Sequence, residues 1–181
     1  MWLKEEGNMS CSTLYLLDKD MKIQETEDFD NAWLMSPNIW EILHTKYIGN
    51  SYNMFLVTEE SEQDLQSKMS KRNNLEDMFL YLMTHQHLIS LRYKDKVIEL
   101  LNEFLISTPI NYYSLHDRLQ EVIDKLEDTN ASYFIWKNTS IDDAVENRFD
   151  DTGSLDKDKF KGEPLICELK TDNTIKWLKW E

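Results

Sequence analysis

The stretch from Ser114 to Trp136, SLHDRLQEVIDKLEDTNASYFIW, contains the clearest helical pattern of the chain, followed by a strand pattern. Its helical part has apolar residues at intervals of three and four, which share one helix face: Leu115, Leu119, Val122, Ile123 and Leu126. We expect Ser114 to cap this helix, because a serine side chain accepts hydrogen bonds from free N–H groups at a helix N-terminus. The apolar run from Tyr133 to Trp136 then predicts a strand. Helix and strand patterns therefore stand side by side in this stretch.

Strand patterns also occur near both ends of the chain. Ser12 to Leu17 is short and apolar, and Met21 to Gln24 alternates between apolar and polar residues. Near the other end, Leu165 to Lys170 and Ile175 to Trp180 predict two more strands. The residues between them, 171–174, have a length that is common in hairpin connections.

The middle of the chain has mainly helical patterns. Ser36 and Pro37 favour the start of one helix, and Gly49 favours its end. Asn74 is the expected cap of another helix, whose pattern we extend through residues 85–91.

Three further segments complete the prediction. A helix that ends before Pro109 is predicted from one apolar stripe: Val97, Leu100, Leu101, Phe104 and Leu105. Tyr52 to Val57 predicts a strand, and the acidic segment Glu25 to Asp30 is expected to be a solvated loop.

These patterns predict an α+β fold, in which a small central helical bundle packs on a mixed or antiparallel sheet formed by the N- and C-terminal strands. We expect residues 1–181 to form a single domain, because the length suits one domain and 41% of the residues are hydrophobic. Two acidic, loop-rich excursions are expected, near 58–73 and near 141–161. In the first, Leu65 and Met69 lie four residues apart, so a thin surface helix is the alternative.

The chain is strongly acidic, with 34 Asp and Glu residues against 20 Lys and Arg residues and a net charge of −14. This charge repels nucleic acid and anionic membranes, because Lys and Arg are the residues that bind phosphate groups. It attracts basic proteins, since complementary fields speed their encounter. Solubility alone is the competing explanation. The N-terminus, Met1 to Gly7, is acidic where a signal peptide is basic, so we expect a cytoplasmic protein.

Motifs for catalysis or phosphate binding are absent from the sequence, and four glycines leave little room for phosphate-binding loops. His85 and His87 would share a face on a strand but not on the helix expected there, so they predict no metal site. An EF-hand loop with Gly153 at its sixth position would begin at Arg148 and end at Lys159, which excludes that calcium site. We therefore predict a protein that is not an enzyme and has no cofactor and no metal.

The general profile resembles that of bacterial immunity proteins, which are small, acidic and free of catalytic motifs. This resemblance of type implies a non-enzymatic binding protein that neutralises a basic protein partner, in particular a toxin such as a nuclease. One alternative is a phage or plasmid inhibitor that acts as a nucleic-acid mimic against a host defence protein. Another is an enzyme whose site is not visible in the sequence.

The candidate partner-binding residues are surface acids and one aromatic anchor. Residues 141–158 contain seven acids and two bases, a net charge of −5. A second acidic segment begins at residue 59. Tryptophan is included because it is a frequent anchor of protein interfaces. The predicted partner-binding residues are Asp142, Asp143, Glu146, Asp150, Asp151, Glu59, Glu60 and Trp180.

Overall fold

The structure, a computed structural model, describes residues 11–30, 32–49, 58–109, 111–139, 144–160 and 164–180. Within these residues the backbone forms six strands: β1 (Cys11–Leu17), β2 (Ile23–Asp30), β3 (Leu88–Ser90), β4 (Tyr133–Lys137), β5 (Leu165–Leu169) and β6 (Ile175–Lys179). It also forms five α-helices: α1 (Met35–Tyr47), α2 (Glu59–Arg72), α3 (Leu75–Thr84), α4 (Lys94–Ser107) and α5 (Tyr113–Asp128).

The strands form one mixed sheet with the order β2-β1-β4-β3-β5-β6. Neighbouring strands are antiparallel, except that β3 and β5 pair in parallel. The predicted hairpin is confirmed, because β5 and β6 pair directly. The predicted α+β fold class with a mixed sheet is confirmed as well.

Both faces of the sheet are covered, which explains why β1 is an almost continuous apolar run. Successive side chains of a strand point to opposite faces. Leu14 and Leu16 of β1 belong to a core that includes residues of all five helices. Tyr15 and Leu17 belong to a second core on the other face.

Residues 144–160, which we call the covering segment, pack on the face opposite the helices. Val145, Phe149 and Leu155 are buried there, and Phe149 stacks on Tyr15 with 5.5 Å between ring centroids. The segment has no α-helix and contains two short 3-10 helices. Its apolar residues nevertheless make it part of the core and not an excursion into solvent.

The predicted helix boundaries are partly right. Asn74 caps α3 as expected, since its side-chain oxygen accepts a hydrogen bond from the N–H of Asp77 at 2.9 Å. Ser36 and Ser114 are not caps, because both lie inside the first turns of α1 and α5. Gly49 follows α1 with a φ of +80°, a left-handed conformation that glycine adopts without strain.

The segment near 58–73 forms the helix α2. Of the two conformations considered for it, the structure therefore supports the thin surface helix. Thr58 and Ser61 form a capping box: the Thr58 hydroxyl accepts from the Ser61 N–H at 3.2 Å, and the Ser61 hydroxyl accepts from the Thr58 N–H at 3.1 Å. Leu65 and Met69 are fully buried. The loop-rich prediction is wrong here, because the capping box, a left-handed C-cap at Asn73 (φ +51°) and one narrow apolar stripe suffice to stabilise the helix.

Two other predictions of local structure are wrong. Residues 25–30 belong to the edge strand β2 and not to a loop. Charged residues are typical of exposed edge strands, because they oppose pairing with another chain. Residues 88–90 form β3 in the middle of the sheet, because α3 ends at Thr84 and Gln86 adopts a φ of +60°. The predicted strand Tyr52 to Val57 lies outside the described residues.

Candidate functional site

An acidic groove of about 460 Å³, which we call the β2–α5 groove, lies between the edge strand β2 and the outer face of α5. The residues that line it are Glu27, Asp28, Phe29, Asp30, Arg118, Glu121, Asp124, Lys125 and Asp128. Phe29 is the apolar member of this set, and its ring packs against Trp136 with 5.6 Å between centroids. The groove thus has one anchored aromatic residue among charged side chains.

The patterns of the two elements explain the groove. The apolar stripe of α5 is buried, so the charged residues on the opposite side of this helix are turned toward solvent. In β2 the alternation of side chains buries Phe29 and leaves Asp28 and Asp30 exposed. The acidic side of β2 and the charged side of α5 therefore lie next to each other and form the two walls of the groove.

Both basic groups of the groove are already engaged in ion pairs. Arg118 bonds to Glu121 at 2.7 Å. Lys125 bonds to Glu25 and, at 3.2 Å, to Glu27. These hydrogen bonds, first of all the one that Lys125 donates to Glu25, raise the pKa of Lys125 above its ordinary value. Neither cation is therefore available to balance the other acids of the groove.

The groove carries an excess of negative charge. Two basic groups against six carboxylates leave a net charge of −4. Asp28 accepts a hydrogen bond from the neutral hydroxyl of Thr13 at 2.7 Å. Asp30, Asp124 and Asp128 have no ion-pair partner among the described residues. Such an array can bind Lys and Arg side chains of another protein, because each new pair replaces repulsion with attraction.

The predicted acidic residues lie on both sides of the sheet. The pair Glu59 and Glu60 is exposed in the first turn of α2, a helix of the first core. The pair Asp150 and Asp151 is exposed in the covering segment, on the face of the second core. The residues 142 and 143, both Asp, lie outside the described residues. The structure does not bring the two described pairs together, and the role of all these acids in binding stays a prediction.

Glu146 and Trp180 have contacts within the protein, and their predicted role in partner binding stays a prediction. The Glu146 carboxylate accepts a hydrogen bond from the Tyr15 hydroxyl at 2.6 Å and pairs with Lys137, which is 4% exposed. Burial alone would raise the pKa of Glu146, but the bonds from Lys137 and Tyr15 lower it overall. Trp180 packs edge-to-face on Phe160 at 5.9 Å, as expected of a residue that anchors the end of a sheet. Both side chains therefore make contacts that stabilise the free protein.

The carboxylate of Asp150 closes a turn. Its Oδ1 accepts hydrogen bonds from the N–H and the hydroxyl of Thr152, at 2.8 Å and 2.7 Å, and from the N–H of Ser154 at 3.0 Å. These bonds lower the pKa of Asp150. Within the described residues, no group of three or more His, Cys, Asp or Glu side chains is arranged to hold a metal ion.

A polar network around Glu62 joins α2 to α1 and α3. The Glu62 carboxylate lies 3.1 Å from Nε2 of His44 and 3.4 Å from Nε2 of His85, and Tyr81 donates its hydroxyl hydrogen to it at 3.0 Å. The hydrogen bond with His85, followed by those with His44 and Tyr81, lowers the pKa of Glu62 to about 2 against the opposing effect of burial. A carboxylate of so low a pKa is a poor general base near neutral pH. The geometry therefore assigns Glu62 a structural role.

Sequence reasoning missed the acids of the β2–α5 groove, because it placed residues 25–30 in a loop. The single aromatic residue Phe29 between two acids was a pattern that could have revealed an edge strand with one buried position. The polar side of α5 was visible from its stripe, but nothing local indicated that β2 lies beside it.

The chain matches no protein-family model, no curated protein and no solved structure. Among the helices that the structure describes, none combines the length and the apolar character needed to cross a membrane. Function therefore has to be inferred from the geometry and charge of the described residues.

Proposed function

We propose that the protein is a non-enzymatic acidic binding protein that neutralises a basic protein partner through the β2–α5 groove. The observation that carries this proposal is the net charge of −4 in a groove whose two basic groups already have partners. Lys and Arg side chains of the partner would enter the groove and pair with Asp30, Asp124 and Asp128, which have no ion-pair partner among the described residues. The net charge of −14 on the whole chain would steer the encounter.

The concrete form that we propose is a bacterial immunity protein that blocks a toxin. A nuclease is the toxin class that fits this chemistry, because its substrate groove is cationic in order to bind phosphate groups. Carboxylates in that groove would occupy the same cations and keep the substrate out. The exposed acids of α2 and of the covering segment would add long-range attraction that falls with salt.

The test compares two triple variants in a pull-down from native-host lysate. The groove variant carries Asp30→Asn, Asp124→Asn and Asp128→Asn, changes that keep the side-chain size and remove three negative charges. The matched control removes three exposed charges elsewhere, through Asp20→Asn, Asp95→Asn and Asp172→Asn. We expect wild type and control to retain the same basic protein at low salt and to lose it as salt rises. The groove variant should retain at least about tenfold less of that protein at low salt.

Neutralisation is then measured with the purified partner, whose toxicity or nuclease activity should fall on addition of an equimolar amount of wild-type protein. Equal binding by the groove variant and the control would contradict the assignment of the groove. A partner that proves to be a host DNA-binding defence protein, and that duplex DNA releases, would support the alternative of a phage or plasmid inhibitor. The genes that neighbour the coding sequence would distinguish these two settings.

A further inference from the structure

A second cavity, of about 440 Å³, lies between helices α2 and α3 and strand β6. Its size falls in the range of small-molecule sites, about 300 to 1,000 Å³. Gln66 of α2, Tyr81 of α3, His87 and Trp177 of β6 line it, together with apolar side chains. None of these residues belongs to the β2–α5 groove, so the two sites are built independently.

The described residues that line this cavity carry no charge, although 30% of the chain is charged. Burial raises the pKa of Tyr81 to about 12, which keeps its hydroxyl neutral. Burial also lowers the pKa of His87 to about 4, so this imidazole is neutral at neutral pH. A charged ligand would find no counter-charge here, whereas an uncharged ligand would lose little on entering.

The ring of His87 has unused hydrogen-bonding capacity. Its backbone N–H bonds to the carbonyl of Leu82 at 3.2 Å, but neither ring nitrogen has a hydrogen-bond partner among the described residues. A neutral imidazole has one donor and one acceptor. A ligand in the cavity can therefore exchange hydrogen bonds with both ring nitrogens in place of water.

Trp177 gives the cavity an exposed aromatic wall. Trp177 is 42% exposed, so part of its indole is open to a ligand. The indole lies 5.5 Å from the ring of His87, measured between centroids, at an interplanar angle of 59°. A planar ring that stacks on the indole would therefore lie within reach of the imidazole.

An adjoining cavity of about 330 Å³ extends the site. The two cavities share Ser70, Met78 and Ile175, and the second is also lined by uncharged residues. Asn73 and Asn173 are among them, and their amide groups can donate hydrogen bonds to hydroxyl groups and accept from them. The combined space suits a ring that carries an uncharged polar substituent.

We propose that the two adjoining cavities bind an uncharged nucleoside-like compound. Its heteroaromatic ring would stack on Trp177 and exchange hydrogen bonds with His87. Its hydroxylated sugar would point toward Asn73 and Asn173. The proposal does not depend on the identity of the basic partner, because it involves other residues.

The test is isothermal titration calorimetry of the full chain with adenosine, with uridine and with adenosine 5′-monophosphate. We expect saturable binding of at least one nucleoside and at least about tenfold weaker binding of the monophosphate, whose charge has no partner in the site. His87→Ala and Trp177→Ala should each weaken nucleoside binding about tenfold, since one stacked base is worth about that factor or more. His116→Ala is the matched control, because His116 lines neither cavity and bonds to the carbonyl of Thr108 at 3.2 Å.

Three results would overturn the proposal: no saturable binding of either nucleoside at millimolar concentration, equal binding of the monophosphate, or equal binding by the two cavity variants and the control. A measurement without substitutions covers the case in which a variant does not fold. In the nuclear magnetic resonance spectrum of the wild-type protein, the nucleoside should shift the indole N–H of Trp177. Shifts confined to other tryptophans would place the ligand elsewhere and also overturn the proposal.

Discussion

At the scale of single residues, Glu62 makes the stability of this protein depend on pH. Its pKa falls from the ordinary 4.5 to about 2 on folding, because His85, His44 and Tyr81 bond to the ionised form. A carboxyl whose pKa is depressed in the folded state contributes stability above the ordinary pKa. That contribution is lost as the pH falls from about 4.5 toward 2.

We therefore expect Glu62→Gln to lower the free energy of unfolding at pH 7 by about 2 kcal/mol, with a smaller difference from wild type at pH 3. Urea unfolding at both pH values measures this. Asp64→Asn on the same helix is the control, because Asp64 forms an exposed pair with Lys68 at 2.8 Å that is worth about 0.5 kcal/mol or less. A difference between Glu62→Gln and wild type that does not change with pH would show that the bonds around Glu62 do not depend on its charge.

The roles of Glu62 and Glu146 could not be predicted from the sequence, which contains 34 acidic residues without local marks to separate them. Tyr15, which bonds to Glu146, is 131 residues away in the chain. Burial and pairing of a charge depend on such distant neighbours. The sequence therefore predicted Glu146 as a surface acid without indicating that its partly exposed carboxylate pairs with the buried Lys137.

At the scale of elements, the sequence predicted what is periodic and missed what is short or charged. The stripe of α5 and the β5–β6 hairpin follow from local patterns, and both are confirmed. The strand β3 has only three residues, too few for a period to appear. The edge strand β2 is acidic, and its conformation depends on pairing with β1, which is not a local property.

Helix α2 is the element whose stability depends most on its first turn, since its apolar stripe consists of Leu65 and Met69. We expect Thr58→Ala to remove the hydroxyl that accepts the hydrogen bond from the Ser61 N–H. Loss of this half of the capping box should destabilise the protein by about 1 kcal/mol. Thr58→Ser keeps the hydroxyl and should remain close to wild type. Thermal unfolding measures the difference, and hydrogen exchange should be faster in α2 for the alanine variant alone. Equal exchange in both variants would mean that the capping box does not hold this helix.

At the scale of the whole molecule, the fold class was predictable because strand patterns occur at both ends and helical patterns occur between them. The β2–α5 groove was not predictable, because its two walls come from distant parts of the chain and meet only in the folded protein. The second core was also missed, since Val145, Phe149 and Leu155 are isolated among polar residues. The proposed function therefore depends on how charge is distributed over the folded surface, which local sequence patterns do not predict.

If the groove carboxylates are kept for a partner, their mutual repulsion should destabilise the free protein. We expect the variant Asp30→Asn, Asp124→Asn and Asp128→Asn to be more stable than wild type by about 1 kcal/mol at low salt. The control Asp20→Asn, Asp95→Asn and Asp172→Asn should change stability less, because its charges are not gathered in one groove. Salt should reduce the gain, since the Debye length falls to about 10 Å at 0.1 M. Urea unfolding at low and raised salt measures both effects. A groove variant that is less stable than the control would show that these carboxylates stabilise the fold, and it would remove the physical basis for a groove held open for a basic partner.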